Sequence, residues 1–359
     1  MQAEGPVRFF LGANSPNGFY SLYDQLIELE RATAVYILKG GPGCGKSSLM
    51  RRIGRRAEEL GEQVEYIQCS GDPDSLDAVI LANRGTALVD GTAPHVVEPK
   101  YPGAVESYVN LGECYDREGL QTVRGDIMSC MTGYKDCYKR AYRCLSAAAE
   151  IQTDARQLLD TDAVEQKIAK RAKGILGREI RGQGGGSGRV TRRFLGAVTH
   201  QGVLTYYDTA DALCRRVYIL EDSFGLAHSL LNFLLSHAAA AGFDAIACPS
   251  PLFPDRLEHV LIPELSLAFL SAAPSTVCPK RPYRRIRLDA MADPDLLRDN
   301  KARLRFSRKV SDALTGEAVD SLAQAKAMHD QLEALYNPFV DFARVYRIAD
   351  DLAKKILLP

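Results

Sequence analysis

Gly40-Gly41-Pro42-Gly43-Cys44-Gly45-Lys46-Ser47-Ser48 is the stretch of this sequence best equipped for chemistry. It fits G-x-x-x-x-G-K-[ST], the spacing of a phosphate-binding loop. Glycines let successive backbone N–H groups turn inward around an anion, and the following helix presents the positive end of its dipole. In that pattern Lys46 reaches the β- and γ-phosphates of a nucleotide and the Ser47 hydroxyl ligates Mg²⁺. The expected ligands are ATP and Mg²⁺, with every residue from Gly40 to Ser48 in contact with the nucleotide.

Other candidates gather around this loop. Asp90 ends an apolar run and has the type and place of a second carboxylate holding Mg²⁺, usually through water. Its simpler reading is an aspartate that starts the Asp90-Gly91 turn. Asp72 and Asp74, in Ser70-Gly71-Asp72-Pro73-Asp74-Ser75, suit the positioning of a water, a metal or an acceptor hydroxyl; Asp74 equally suits a helix N-cap. His95 and Lys100, in the polar stretch after Asp90, are candidates for contact with substrate or the γ-phosphate, and a lone histidine is more often structural.

These residues need elements to hold them. Ala34-Val35-Tyr36-Ile37-Leu38 reads as a buried strand before the loop, and Leu49, Ile53, Ala57 and Leu60 mark one face of a helix after it. Gln63–Ile67 reads as a second strand, Asp74–Asn83 as a short helix, and Thr86–Asp90 as a third strand. Strands alternating with helices predict an α/β fold, a three-layer unit with a mainly parallel sheet. Ligands of such sheets bind beyond the carboxyl ends of the strands, which is where the candidates fall.

The chain repeats itself. Phe10-Leu11-Gly12-Ala13 returns as Phe194-Leu195-Gly196-Ala197, and Tyr23-Asp24 as Tyr207-Asp208, both at an offset of 184 (194 − 10 = 184). Val35-Tyr36-Ile37-Leu38 returns as Val217-Tyr218-Ile219-Leu220, Pro73-Asp74-Ser75-Leu76 as Pro254-Asp255-Arg256-Leu257, and Pro99-Lys100-Tyr101-Pro102 as Pro279-Lys280-Arg281-Pro282. Ordered matches at drifting offsets predict a duplicated fold. The expected layout is an intact phosphate-loop domain over 1–116, a helical hairpin over 117–180, and a glycine-rich linker over 181–191. A degenerate phosphate-loop domain over 192–293 and a helical region over 294–359 follow. Thr153-Asp154 and Asp160-Thr161-Asp162 are expected breaks in the first helical region.

In the second copy, Glu221-Asp222-Ser223-Phe224-Gly225-Leu226-Ala227-His228-Ser229 stands opposite Lys39–Ser47. Asp222 replaces Gly40, Ala227 replaces Gly45 and His228 replaces the lysine. A carboxylate at the loop entrance repels phosphate, and a mostly neutral, shorter histidine cannot act as the cationic clamp. This half is expected to be a decayed copy, or a partner that supplies a cation from the cluster Arg281, Arg284, Arg285 and Arg287 to the live site.

Composition narrows the setting. The chain has 359 residues, Lys+Arg 45 against Asp+Glu 45, and 46% hydrophobic residues. That suits a folded protein of two domains, with no global field toward nucleic acid or membrane. No membrane span or signal peptide is evident, and a cytoplasmic location is expected. Nine cysteines without a C-x-x-C pair do not form a closed disulfide framework. Cys130, Cys137 and Cys144 are seven apart, about 10.5 Å along a helix, too far to share a metal; they read as small hydrophobes in a helix seam. Basic residues flanking the glycine-rich linker carry no interleaved aromatic residues and read as solvated charge rather than a nucleic-acid surface.

The phosphate loop, Val89-Asp90-Gly91-Thr92-Ala93-Pro94-His95 and Pro99-Lys100-Tyr101-Pro102-Gly103 together resemble a family of bacterial tandem P-loop ATPases. That family is found mainly in Gram-positive genomes, and its biological role is undetermined. The likeness extends over almost the whole chain, and it implies an ATPase of the P-loop nucleoside triphosphate hydrolase superfamily. The loss of lysine at His228 leaves one intact site, so a mechanism needing two does not carry over. The N-K-x-D of GTPases is absent, since Asn300-Lys301-Ala302-Arg303 lacks the aspartate, and no LSGGQ-like transporter signature occurs. A small-molecule kinase using Asp72 or Asp74, or a nucleotide-gated scaffold for an unidentified partner, are the alternatives to hydrolysis.

Overall fold

The computed structural model describes residues 5–181, 186–273 and 282–358. Residues 182–185 of the glycine-rich linker, Cys278 and Arg281 lie outside the described residues, as does most of the Pro279–Pro282 repeat. In chain order the first copy contains β1 (Val7–Phe9), β2 (Gly12–Ser15), β3 (Gly18–Ser21), β4 (Ala34–Lys39) and α1 (Lys46–Glu59). Four more strands follow, β5 (Val64–Gln68), β6 (Leu76–Leu81), β7 (Thr86–Asp90) and β8 (Glu106–Asn110). Then come α2 (Arg117–Thr122), α3 (Arg124–Leu159) and α4 (Asp162–Glu179).

The second copy repeats the plan. It has β9 (Val190–Arg192), β10 (Gly196–Thr199), β11 (Gly202–Thr205), α5 (Tyr207–Leu213), β12 (Arg216–Glu221) and α6 (Ala227–Ala240). Next are β13 (Ala245–Pro249), β14 (Leu257–Ile262), β15 (Leu267–Ala272) and β16 (Arg284–Arg287). The helices α7 (Pro294–Asp299), α8 (Lys301–Tyr336) and α9 (Phe342–Leu357) close the described chain.

The two sheets have the same strand order. In the first it runs β1-β5-β6-β7-β4-β8, and in the second β9-β13-β14-β15-β12-β16. β6 is antiparallel to both its neighbours, as is β14, and the other pairings are parallel. The duplication read from short repeats is thus a duplication of topology.

One expected element is wrong. Residues 74–83 do not form a short helix; Leu76-Asp77-Ala78-Val79-Ile80-Leu81 is a fully buried strand between β5 and β7. Its Val and Ile pack on both faces of the sheet, and that burial prevails over the helix-like start at Asp74. α3 also runs unbroken through Thr153-Asp154, with Asp154 bonded to Arg303 of α8 at 2.6 Å. The break at Thr161 is present, its side chain capping α4 at Val164 N–H.

The layering departs from three layers per copy. Strand alternation sends Val35 and Ile37 of β4, with Val217 and Ile219 of β12, into one core shared by the two copies. Segments 10–26 and 194–214 fill that core between the sheets. The opposite faces are covered by helices, and these are exchanged. α9 packs Ala349, Ala353 and Ile356 with Leu49, Met50 and Ile53 of α1 in the first copy. α4 packs Val164, Ile168 and Ile175 with Leu230, Leu231 and Leu234 of α6 in the second. Each copy is roofed by the helix that follows the other.

The long helices do not form a hairpin with their own short neighbours either. α3 and α8, each 36 residues, lie antiparallel against one another. Cys130 Sγ lies 3.0 Å from Met328 O, and Gln152 Nε2 donates to Ser311 Oγ at 2.7 Å. Cys137 Sγ also faces Met328, at 4.0 Å from its sulfur, so this part of the cysteine series lines the helix seam as expected. Among the described residues, no helix is long and apolar enough to cross a membrane.

Candidate functional site

The loop 40–45 joins the carboxyl end of β4 to α1, the strand-loop-helix context expected of its pattern. Gly45 is the residue before the helix, at φ +87°, and Gly43 lies at φ +68°, where other residues are strained. A Cβ on Gly43 would stand 2.7 Å from the Asn337 side-chain amide, and one on Gly41 would stand 2.8 Å from the Tyr115 hydroxyl. Glycine is needed at these places by neighbours as well as by conformation.

Lys46 Nζ donates to Gly40 O at 2.7 Å and Gly41 O at 2.8 Å, and lies 3.5 Å from Asp90 Oδ2. Lysine and aspartate are 11% and 14% exposed, so the pair is mostly withdrawn from solvent at the loop. Asp90 Oδ1 is committed elsewhere, accepting from the N–H and the hydroxyl of Thr92 at 2.8 and 2.6 Å. Ser47 Oγ accepts from Leu76 N–H at 3.0 Å, tying the helix start to β6. Cys44 is buried. The structure therefore brings Gly40–Ser48 and Asp90 together at one sheet edge.

The remaining candidates are differently placed. Asp72 accepts from the Ser75 hydroxyl at 2.9 Å and lies 3.7 Å from Lys326 of α8. Asp74 accepts from Gln201 of the second copy at 3.0 Å, so it is neither a helix cap nor free. Lys100 is exposed, and its backbone N–H donates to Glu106 at 2.6 Å; no bond from its ammonium to the loop occurs among the described residues.

His95 is buried rather than presented to a substrate. Its Nε2 lies 3.3 Å from Asp77 Oδ2, which also accepts from the Tyr23 hydroxyl at 2.7 Å. Phe19 and Tyr23 pack on the imidazole. Burial alone would lower the His95 pKa, but the Asp77 charge and hydrogen bond outweigh it and hold the ring above its ordinary value. Burial would raise Asp77, yet His95, Tyr23 and Cys69 hold it below the usual carboxylate range. Cys69, Asp77 and His95 are close enough to share a cation, as are His329, Asp330 and Glu333 beside the loop. In the first group the histidine and aspartate are already paired with one another. Asp77 escaped the sequence reading, although a carboxylate within an apolar strand is a signal in itself.

The loop also has a cover that no local pattern announces. Glu333, Tyr336 and Asn337 at the end of α8, and Phe342 and Val345 of α9, lie against Gly41, Gly43 and Gly45. The Tyr115 hydroxyl beside Gly41 is buried without a hydrogen-bond partner.

In the second copy the corresponding loop is filled from within. Asp222 Oδ1 accepts from Phe224 N–H at 3.1 Å and Leu226 N–H at 2.9 Å, and Oδ2 from Ala227 N–H at 2.8 Å. The carboxylate takes donors that an open loop offers to phosphate. It acts as the loop's own internal acceptor. His228 aligns with Lys46, but its Nδ1 accepts from Leu257 N–H at 2.9 Å, the bond that Ser47 makes to Leu76 in the first copy. Burial, then Arg256 and Arg156, lower the His228 pKa, consistent with an uncharged acceptor. Ser229 turns to Glu165 of α4 at 2.7 Å.

Among the described residues, no hydrogen bond or ion pair joins the second copy's Arg284 and Arg285 to the loop 40–48. Arg285 pairs with Glu221 at 3.2 Å, and Arg284 lies over Tyr283. Several linker-flanking cations are likewise engaged: Arg189 with Asp244 at 2.8 Å, and Arg193 with Glu65 and the Gln25 and Leu26 carbonyls. Compared with family models, with curated proteins and with solved structures, the chain has no match in any of the three.

Proposed function

We propose that the chain binds ATP with Mg²⁺ at Gly40–Ser48 and hydrolyses it, at one site per chain. The observation that carries this reading is Lys46, which lies between the loop carbonyls and Asp90 at the N-terminus of α1, 3.5 Å from the carboxylate. A cation beside a glycine-rich turn at a helix N-terminus suits a polyphosphate. Ser47 and Asp90 offer a hydroxyl and a carboxylate, the hard oxygen donors that Mg²⁺ prefers, and would hold it. When bound, the ion would neutralise charge on the β- and γ-phosphates. Lys46 and the loop amides would stabilise charge developing on the transferred phosphoryl group. Membership of the tandem P-loop ATPases and a cytoplasmic setting belong to this proposal.

A nucleotide-gated scaffold with slow hydrolysis is the second reading, favoured by the contact of Glu333 and Asn337 with Gly43. The kinase reading gains less, because Asp72 and Asp74 are both engaged in structural hydrogen bonds.

The test is ATP binding stoichiometry and phosphate release with Mg²⁺, beside Lys46→Ala and His228→Ala. One ATP per chain, with release falling at least ~100-fold in Lys46→Ala and unchanged in His228→Ala, is expected. Two ATP per chain would sink the single-site reading. Binding without release would favour the scaffold, and release only with an added metabolite the kinase.

A further inference from the structure

The second copy carries a feature that its decayed loop does not account for. A cavity of about 730 Å³ lies between the loop 222–228, the segment 250–258, the β10–β11 hairpin and the facing parts of α3 and α8. That volume is in the range of small-molecule sites.

Arg156 and Arg256 line this cavity. Neither guanidinium is in an ion pair among the described residues. Arg256 donates to Gly225 O at 2.8 Å, and Arg156 to Thr153 Oγ1 at 3.3 Å while stacking over Phe253 at 4.8 Å. A guanidinium carries five N–H donors in a planar fork, so most of this donor capacity is unspent. Burial, then the charge of Arg256, pulls the Arg156 pKa down, and the opposing charges of Asp160 and Asp222 do not restore it.

Glu333 of α8 lies against Gly43 in the first copy, and Arg156 of α3 lies against Gly225 in the second. The repeat Pro73–Leu76 against Pro254–Leu257 puts Arg256 opposite Ser75. Both places facing the second loop have become cationic, while Asp222 has closed that loop's own backbone cradle. Of the acids whose charge acts on the two arginines, Asp222 is held by three amides and Glu165 by the Ser229 hydroxyl, while Asp160 acts on both from beyond ion-pair distance.

We propose that this cavity is a second ligand site, for a small phosphorylated molecule whose phosphate is gripped by Arg156 and Arg256. Planar guanidinium forks match phosphate oxygens two at a time, which a lysine cannot do. Anion recognition in this half has passed from backbone amides to side chains.

The test uses Lys46→Ala full-length protein, so that the first loop does not contribute, with pyrophosphate as the probe in calorimetric titration. One saturable site is expected, weakened at least tenfold by adding Arg156→Gln or Arg256→Gln. Hydrogen exchange on the Lys46→Ala protein, with and without pyrophosphate, reads the site without an arginine change. Protection confined to 152–159 and 250–258 is expected. Absence of saturable binding, equal affinity in the arginine variants, or protection at 40–48 instead would overturn the proposal. Loss of ATP turnover in Lys46→Ala bears only on the first loop, so the two readings fail separately.

Discussion

Phe10 and Phe194, which hold the same place in the two copies, exchange both backbone hydrogen bonds with each other at 2.9 Å. Both side chains are wholly buried. The pseudo-symmetry axis thus passes through a hydrogen-bonded pair in the shared core, and the copies form one packed body around it. Asn14 extends the seam, donating to Val198 O at 2.9 Å, and Arg193 adds bonds to the first copy.

Asp222 acts as an internal anion. Asp222→Ala is expected to destabilise the protein by about 1–2 kcal/mol, the usual cost of losing a helix-capping acceptor. ATP stoichiometry should stay at one. Denaturant unfolding beside nucleotide titration checks both statements, and a gain of a second ATP would show that Asp222 alone closes the loop.

Glu333 places a carboxylate on a helix whose backbone lies against Gly43. Glu333→Gln should tighten ATP binding about twofold to fivefold, the effect of about 0.4–1 kcal/mol from a partly exposed charge. Affinity measured at low and high salt decides it; the gain should shrink as salt screens the repulsion.

Glu258 should make stability depend on pH. Burial, then the Asp222 charge, raises its pKa to about 7. A group raised in the folded state favours folding below its unfolded pKa and loses that contribution as pH climbs through the folded value. Glu258→Gln should therefore stabilise by roughly 1–3 kcal/mol at pH 8 and change little near pH 4. Thermal melts of both proteins across that window would show it, and an equal shift at both ends would refute it.

Ala353 of α9 is buried in the core beneath α1. Ala353→Asp should cost at least about 2 kcal/mol, because an unpaired charge enters an apolar core. The expected site of damage is the first copy, read as faster hydrogen exchange in α1 and weaker ATP binding.

How much of this was legible follows from particular residues. The glycine-rich stretch 40–48 and the repeat of Val35-Tyr36-Ile37-Leu38 speak locally, and they announce β4, α1 and the duplication, while β1, β2, β3 and β8 give no such signal. β6 is not legible because Asp74 offers a helix start and Asp77 interrupts the apolar run, and the partner of His95 is that same Asp77. The exchange of α4 and α9 left no trace, since an amphipathic helix declares which face it buries and not against what. The roles of Asp222 and His228 needed geometry: a substitution table records a lost lysine, whereas the fold shows a carboxylate and an imidazole taking over hydrogen bonds.

The exchanged helices also bear on how the chain matures. α1 is synthesised about 280 residues before α9, which completes the core beneath it. At ordinary elongation rates that is a delay of roughly 15–60 s during which Leu49, Met50 and Ile53 lack their apolar cover. The first copy emerges early but finishes late. The loop 40–48, which has Phe342 and Val345 as neighbours at Gly45, cannot take its final surroundings until α9 has been made.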